Sequence, residues 1–152
     1  MKVADIKNVA GIGGGVIGGS WAVLFAMKGL NVKLYDINDD CLANDKKTIV
    51  SNLEFLAENG AIEDKDAVLA RIQFTTSMEE AVKDADLVIE SVAEVPATKA
   101  AFYGNLAKVL PEKTIIATNS STMLPSTFAE MTGRPDRYLA LHFANEVWRN
   151  NT

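Results

Sequence analysis

Three glycines, one aspartate and one histidine carry most of the chemistry legible in the chain. Gly13, Gly15 and Gly18 stand in the spacing G-x-G-x-x-G, and Asp36 follows about 20 residues later. In that spacing the first glycine permits a tight turn, the second lets a pyrophosphate approach the backbone, and the third lets a helix lie against a strand. The amides at the start of the following helix, Val16 and Ile17 among them, add donors and a partial positive charge. Asp36 can accept from both hydroxyls of a ribose and would repel a 2′-phosphate. No arginine follows to offset it, since Ile37-Asn38-Asp39-Asp40 adds acid, so the cofactor expected is NAD rather than NADP. The bland alternative for Asp36 is a helix-capping residue at a strand end. His142, the single histidine, follows the apolar run Tyr138-Leu139-Ala140-Leu141. An imidazole there suits proton exchange with an alcohol while hydride moves to a nicotinamide, although a lone histidine is often structural.

These residues need elements that bring them together. The run Val9-Ala10-Gly11-Ile12 reads as a strand, an uncharged helix leads to Lys28-Gly29, and Val32-Lys33-Leu34-Tyr35 reads as a second strand closing on Asp36. This is a dinucleotide-binding βαβ unit. Asp39 or Asp40 is expected to cap a long helix to about Ala57, with Glu58-Asn59-Gly60 ending it, and Lys65 to Ala70 a short second helix. The two make a helical hairpin where a minimal unit has one crossover helix. Lys46 and Lys47 on it are a solvated face or a seat for substrate phosphates.

Strands follow at Ile72 to Thr75, Leu87 to Glu90, Thr114 to Thr118 and Tyr138 to Leu141. Between them, helices are expected from Glu79 to Lys83 behind Ser77, from Pro96 to Val109, and from Ser126 to Met131. The fold expected is α/β: a doubly wound, mostly parallel Rossmann sheet with a helical-hairpin insertion after the second strand. All strand ends that carry chemistry, including Glu90 and the polar loop Asn119-Ser120-Ser121-Thr122, then share one sheet edge with the glycine turn.

Composition limits what else the chain does. Its 152 residues make one domain, and 48% apolar residues suffice for a core. With 15 basic and 20 acidic residues, net charge -5, nucleic acid and anionic membrane surfaces are not expected partners. The uncharged run Val9 to Met27 behind Lys7 has the look of a signal or membrane segment. Six of the nine residues from Gly11 to Gly19 are glycine, however, each costing a helix about 1 kcal/mol relative to alanine. A spanning helix is therefore not expected. The single Cys41 agrees with a reducing cytoplasm, and no metal is expected.

Taken together, the glycine loop, Asp36, the hairpin, Glu90 to Lys99, Asn119-Ser120-Ser121 and Leu141-His142-Phe143-Ala144-Asn145 resemble the NAD-binding domain of the L-3-hydroxyacyl-CoA dehydrogenase family, 3-hydroxybutyryl-CoA dehydrogenases included. The resemblance covers essentially the whole chain. It implies that His142 takes the proton of a 3-hydroxyl as hydride leaves C3, that Ser121 and Asn145 position the reacting oxygen, and that Glu94 and Lys99 lie near the nicotinamide ribose. Ser121 as a turn residue, and Glu94 and Lys99 as helix-entry and surface charges, are the alternatives.

The chain also departs from the family pattern. Ala144 and Glu146 stand where the family has phenylalanine and proline, and Thr122 where a second serine is common. The family's glutamate about 12 residues beyond the histidine, and its helical C-terminal domain for acyl-CoA binding and homodimer formation, would lie past Thr152. Residues 1–152 are thus expected to be an NAD-binding fragment lacking full activity. The open alternatives are a dehydrogenase of a free hydroxy acid or sugar acid, and a non-catalytic NAD-sensing module. Trp148 is expected to line the substrate region or to pack on structure missing from this chain.

Overall fold

A computed structural model describes residues 2–149. The last three residues, on which the fragment expectation bears, lie outside it. Strands β1 (Asn8–Ile12), β2 (Asn31–Tyr35), β3 (Ile72–Thr75), β4 (Leu87–Glu90), β5 (Ile115–Thr118) and β6 (Tyr138–Ala140) form one sheet in the order β3-β2-β1-β4-β5-β6, and every pairing is parallel. The expected doubly wound sheet is therefore present, with no antiparallel strand among the described residues.

The strands are short apolar runs because both faces are covered, as parallel sheets require. Val9, Leu87, Ile89 and Ala117 pack with Trp21 of α1 (Gly15–Met27), while Ala10, Ile12, Val88 and Ile116 face Phe102, Tyr103 and Leu106 of α5 (Pro96–Val109). The hairpin consists of α2 (Asp39–Glu58) and α3 (Lys65–Leu69). Its Ile49, Leu53 and Leu56 join Val32 and Leu34 of β2 in a third cluster. A short α4 (Met78–Val82) covers the other face, capped by Ser77 as expected.

Three expectations need correction. The cap of α2 is Asn38 rather than Asp39 or Asp40: its backbone is extended and its side chain accepts the Cys41 amide at 2.8 Å, leaving both aspartates in the first turn. No α-helix spans Ser126 to Met131. Pro125 and Gly133, whose φ is 68°, confine the segment to two 3₁₀ turns, Pro125–Thr127 and Glu130–Thr132. Trp148 packs beside Phe55 of α2 with its ring centroid 6.0 Å away, within the hairpin cluster. Among the described residues no helix is long and apolar enough to cross a membrane.

Candidate functional site

Register sets the geometry of the site. Tyr35, Ile12, Glu90, Thr118 and Ala140 align across five neighbouring strands. The residues that follow, Asp36, Gly13, Ser91, Asn119 and Leu141 with His142, must therefore emerge along one edge. There they border two adjoining lobes of a crevice. One, of about 520 Å³, is largely apolar and is lined by Ile12, Tyr35, Asp36, Met78 and Phe102. The other, of about 380 Å³, is lined by Glu94, Lys99, Ser121, His142 and Asn145, with Val16, Ile17 and Gly18 beside them. Gly14, Gly15, Ser91, Val92 and Ala93 belong to both lobes. Every residue expected from the sequence to bind the cofactor or carry the reaction thus borders this crevice, whereas Lys46 and Lys47 line a separate groove on the hairpin.

The glycine loop has the shape its spacing implies. A Cβ on Gly18 would stand 1.8 Å from the Gly13 carbonyl oxygen, so α1 can pack this closely only through glycine. Gly15 has φ +52° and nothing within 4 Å of where its Cβ would be, which leaves open space above the helix N-terminus. Asp36 does not cap α2. Its Oδ2 accepts the Gly14 amide at 2.8 Å and its Oδ1 the Ile37 amide at 2.6 Å, so the carboxylate is held at the loop with lone pairs to spare. Open space over an exposed glycine amide edge, next to an anchored carboxylate and an apolar lobe, fits the phosphates, ribose and adenine of a dinucleotide.

On the other side, His142 Nδ1 lies 2.8 Å from the Asn119 carbonyl oxygen. A carbonyl only accepts, so Nδ1 carries a hydrogen, and in the neutral ring the lone pair is on Nε2. Asn119 is itself fixed, because its Oδ1 accepts from Trp21 Nε1 at 3.2 Å and from the Phe143 amide at 3.1 Å. Beyond Asn145 the chain turns sharply through Glu146, whose φ is 58°, and the Val147 amide donates to Ser20 Oγ at 2.6 Å. The histidine segment is thereby clipped to α1.

Lys99 is no surface charge. It is 1% exposed and its Nζ lies 2.6 Å from Glu90 Oε1, 3.2 Å from the Val92 carbonyl and 3.7 Å from Glu94. Glu90 also accepts from the Val92 amide and from the hydroxyls of Tyr103 and Thr118, each at 2.7 Å, so all its lone pairs have partners. Burial and the neighbouring Glu90 charge push the Tyr103 hydroxyl well above its ordinary range, which keeps it a donor. Glu94 is partly exposed. Partial burial pushes its carboxyl up, but the hydroxyls of Thr122 and Ser120 and the Lys99 ammonium outweigh this and hold it below the usual range. Asp45 is the residue overlooked in the sequence; Glu90 and Asn119 were expected on this edge, but without the partners they have here. For Glu90 the signal was there: an acid ending the buried run Leu87-Val88-Ile89 must be paired, and Lys99 and Tyr103 share one helix face four residues apart.

Sheets of this strand order bind dinucleotides where the order reverses, here between β1 and β4. Fold and crevice together make the chain an NAD-binding domain of the dehydrogenase class. Residues 8–151 match the family described as 3-hydroxyacyl-CoA dehydrogenase, NAD binding domain, and the chain belongs to that family. It is 33% identical to the probable 3-hydroxybutyryl-CoA dehydrogenase of Bacillus subtilis, over 94% of this chain and 50% of that protein. Its fold is similar to the crystal structure of (S)-3-hydroxybutyryl-CoA dehydrogenase from Ralstonia eutropha, with TM-score 0.89, 33% identity, and coverage of 94% of this chain and 51% of the other. A structure titled for the dual catalysis of dicarbonyl compounds by a diketoreductase is similar at TM-score 0.91 and 44% identity, covering 97% of this chain and 53% of that one. The chain spans about half the length of the curated relatives it matches.

Proposed function

We propose that this chain is the cofactor half of an NAD-dependent dehydrogenase that interconverts L-3-hydroxyacyl-CoA and 3-ketoacyl-CoA. When bound, NAD supplies the hydride acceptor. Asp36 holds the adenosine ribose, the amides of Val16 and Ile17 beside Gly15 receive the pyrophosphate, and Glu94 and Lys99 lie beside the second ribose. Nε2 of His142 takes the proton of the 3-hydroxyl in oxidation and returns it in reduction, while Ser121 and Asn145 hold the reacting oxygen. The observation that carries this reading is the fixed tautomer of His142 in the same lobe as Ser121 and Asn145.

Acyl-CoA binding and homodimer formation belong to the full-length protein on this reading, and residues 1–152 bind NAD without full turnover. The test is NADH oxidation with acetoacetyl-CoA, by the chain alone and by a full-length protein that contains it. Full-length activity that falls about 100- to 10,000-fold in His142→Gln, with NAD binding retained, is the expected result. Near-normal turnover by the isolated chain removes the fragment reading, and an active His142→Gln variant removes the proton-transfer role.

A second reading has one specific support. Identity to the diketoreductase structure, 44%, exceeds the 33% to the hydroxybutyryl-CoA enzyme, and Ala144 and Glu146 depart from the pattern on which the acyl-CoA resemblance rests. On this reading the substrate is a free dicarbonyl or hydroxy acid. Comparing kcat/KM for acetoacetyl-CoA with that for a free dicarbonyl compound decides between them.

A further inference from the structure

Asp45 is the one residue of the long helix α2 that is both acidic and buried, at 3% exposed. Its Oδ1 accepts the Gly15 amide at 2.8 Å, the amide of the glycine whose backbone faces the pyrophosphate. Its Oδ2 is buried with no hydrogen-bond partner. That second oxygen lies against Gly14, where a Cβ would stand only 1.8 Å away, and the Gly14 amide is itself held by the Asp36 carboxylate. Two acids therefore occupy neighbouring amides of one loop, Asp36 on Gly14 and Asp45 on Gly15.

Among the described residues no cation acts on Asp45. The loop and α1 carry no charged side chain from Gly13 to Met27. On α2, Asp39 and Asp40 are exposed in the first turn, Lys46 lies over the Phe74 ring at 6.0 Å, and Lys47 borders a groove on the outer face. From α3, Lys65 pairs with Glu54. Among the described residues, Asp36 is the charged group that acts on Asp45. Burial, opposed by the Gly15 amide and reinforced by Asp36, pushes the Asp45 carboxyl above its usual range.

We propose that Asp45 is a proton-linked gate on the pyrophosphate seat: the dinucleotide binds together with a proton that passes from solvent to Asp45, so cofactor affinity falls as pH rises. As an anion, Asp45 holds the Gly15 amide with the charge type that the pyrophosphate brings, and it repels both that group and Asp36. Neutral, it keeps a weaker hold on the amide and leaves the incoming phosphates unopposed. The bound pyrophosphate raises the proton affinity of Asp45 further. Uptake therefore occurs in the pH interval between the titration of the free and the bound forms, and vanishes on either side of it.

This inference rests on the cofactor reading above, and the experiment keeps the two apart. NAD is titrated into the chain calorimetrically from about pH 5 to about pH 8.5, in buffers of different ionisation enthalpy, which counts protons taken up on binding without any variant. The wild type is expected to take up a fraction of a proton and to lose affinity with rising pH. Asp45→Asn keeps an acceptor for Gly15 without the charge. It is expected to bind NAD about tenfold more tightly at the alkaline end, with no proton uptake. Binding without uptake, or the same pH slope in wild type and Asp45→Asn, overturns the gate and leaves the cofactor assignment standing. No NAD binding at any pH overturns the cofactor assignment itself.

Discussion

Lys99 and Glu90 form an ion pair of 2.6 Å in which neither side chain is more than 1% exposed. A pair this deep is held by its hydrogen bonds, and removing one member leaves the other charged and unpartnered. Lys99→Met is expected to cost about 3–5 kcal/mol, seen as a fall in melting temperature of about 10 °C. Glu90→Gln in the same chain should recover part of the loss, because the two effects are coupled. Equal losses that simply add would mean the pair is not a unit.

Asp36 should decide between the two nicotinamide dinucleotides. Thermal-shift titration is expected to raise the melting temperature with NAD and to leave it nearly unchanged with NADP. Asp36→Ala should narrow that difference while lowering the baseline, since the Gly14 amide loses its acceptor. Preference for NADP in the wild type would remove the ribose role.

Gly14 and Asp45 are matched in size. Gly14→Ala places a methyl 1.8 Å from Asp45 Oδ2, and a clash of this kind costs about 1–3 kcal/mol. Chemical denaturation of Gly14→Ala is expected to show that loss, and shortening the acid in Gly14→Ala/Asp45→Ser should restore most of it. A double variant no more stable than the single would place the strain elsewhere.

Asp86 should contribute to the acid limb of stability. Burial pushes its carboxyl up, but the Lys113 ammonium at 2.6 Å and the amides of Lys7 and Asn8 hold it below the usual range. A carboxyl that is more acidic folded than unfolded adds stability above its unfolded pKa, about 3.9, and loses it as pH falls through the folded value. Asp86→Asn should therefore be clearly destabilised at neutral pH, with the gap to wild type closing below about pH 4. A gap that stays constant would assign the loss to packing.

The sheet was legible because its signals are local and redundant. Apolar β-branched runs, glycine turns and caps recur through the chain, and the spacing from Gly13 to Asp36 is fixed by the fold itself. Where one short signal stood alone, as at Ser126 to Met131, helical periodicity misled, since the segment breaks into two 3₁₀ turns before the left-handed Gly133. The buried acids were harder. Asp45 looks like any polar position of a solvated helix until the crossing of α1 and α2 sets it under the loop, and the acceptor that orients His142 is a main-chain carbonyl, which no side-chain pattern encodes.

The row of strands has one further consequence, for how the molecule comes together. β1 to β3 and β4 to β6 are each consecutive along the chain, but the two sets meet at a single seam between β1 and β4, where Asn8 and Asp86 are 78 residues apart. Closing so long a loop is entropically costly before any contact repays it, so this seam is expected to zip late in folding. The crevice straddles the seam. Half-molecules formed early would hold the glycine loop or the histidine, but not both, and a dinucleotide spanning the two would act as a clasp on the final step.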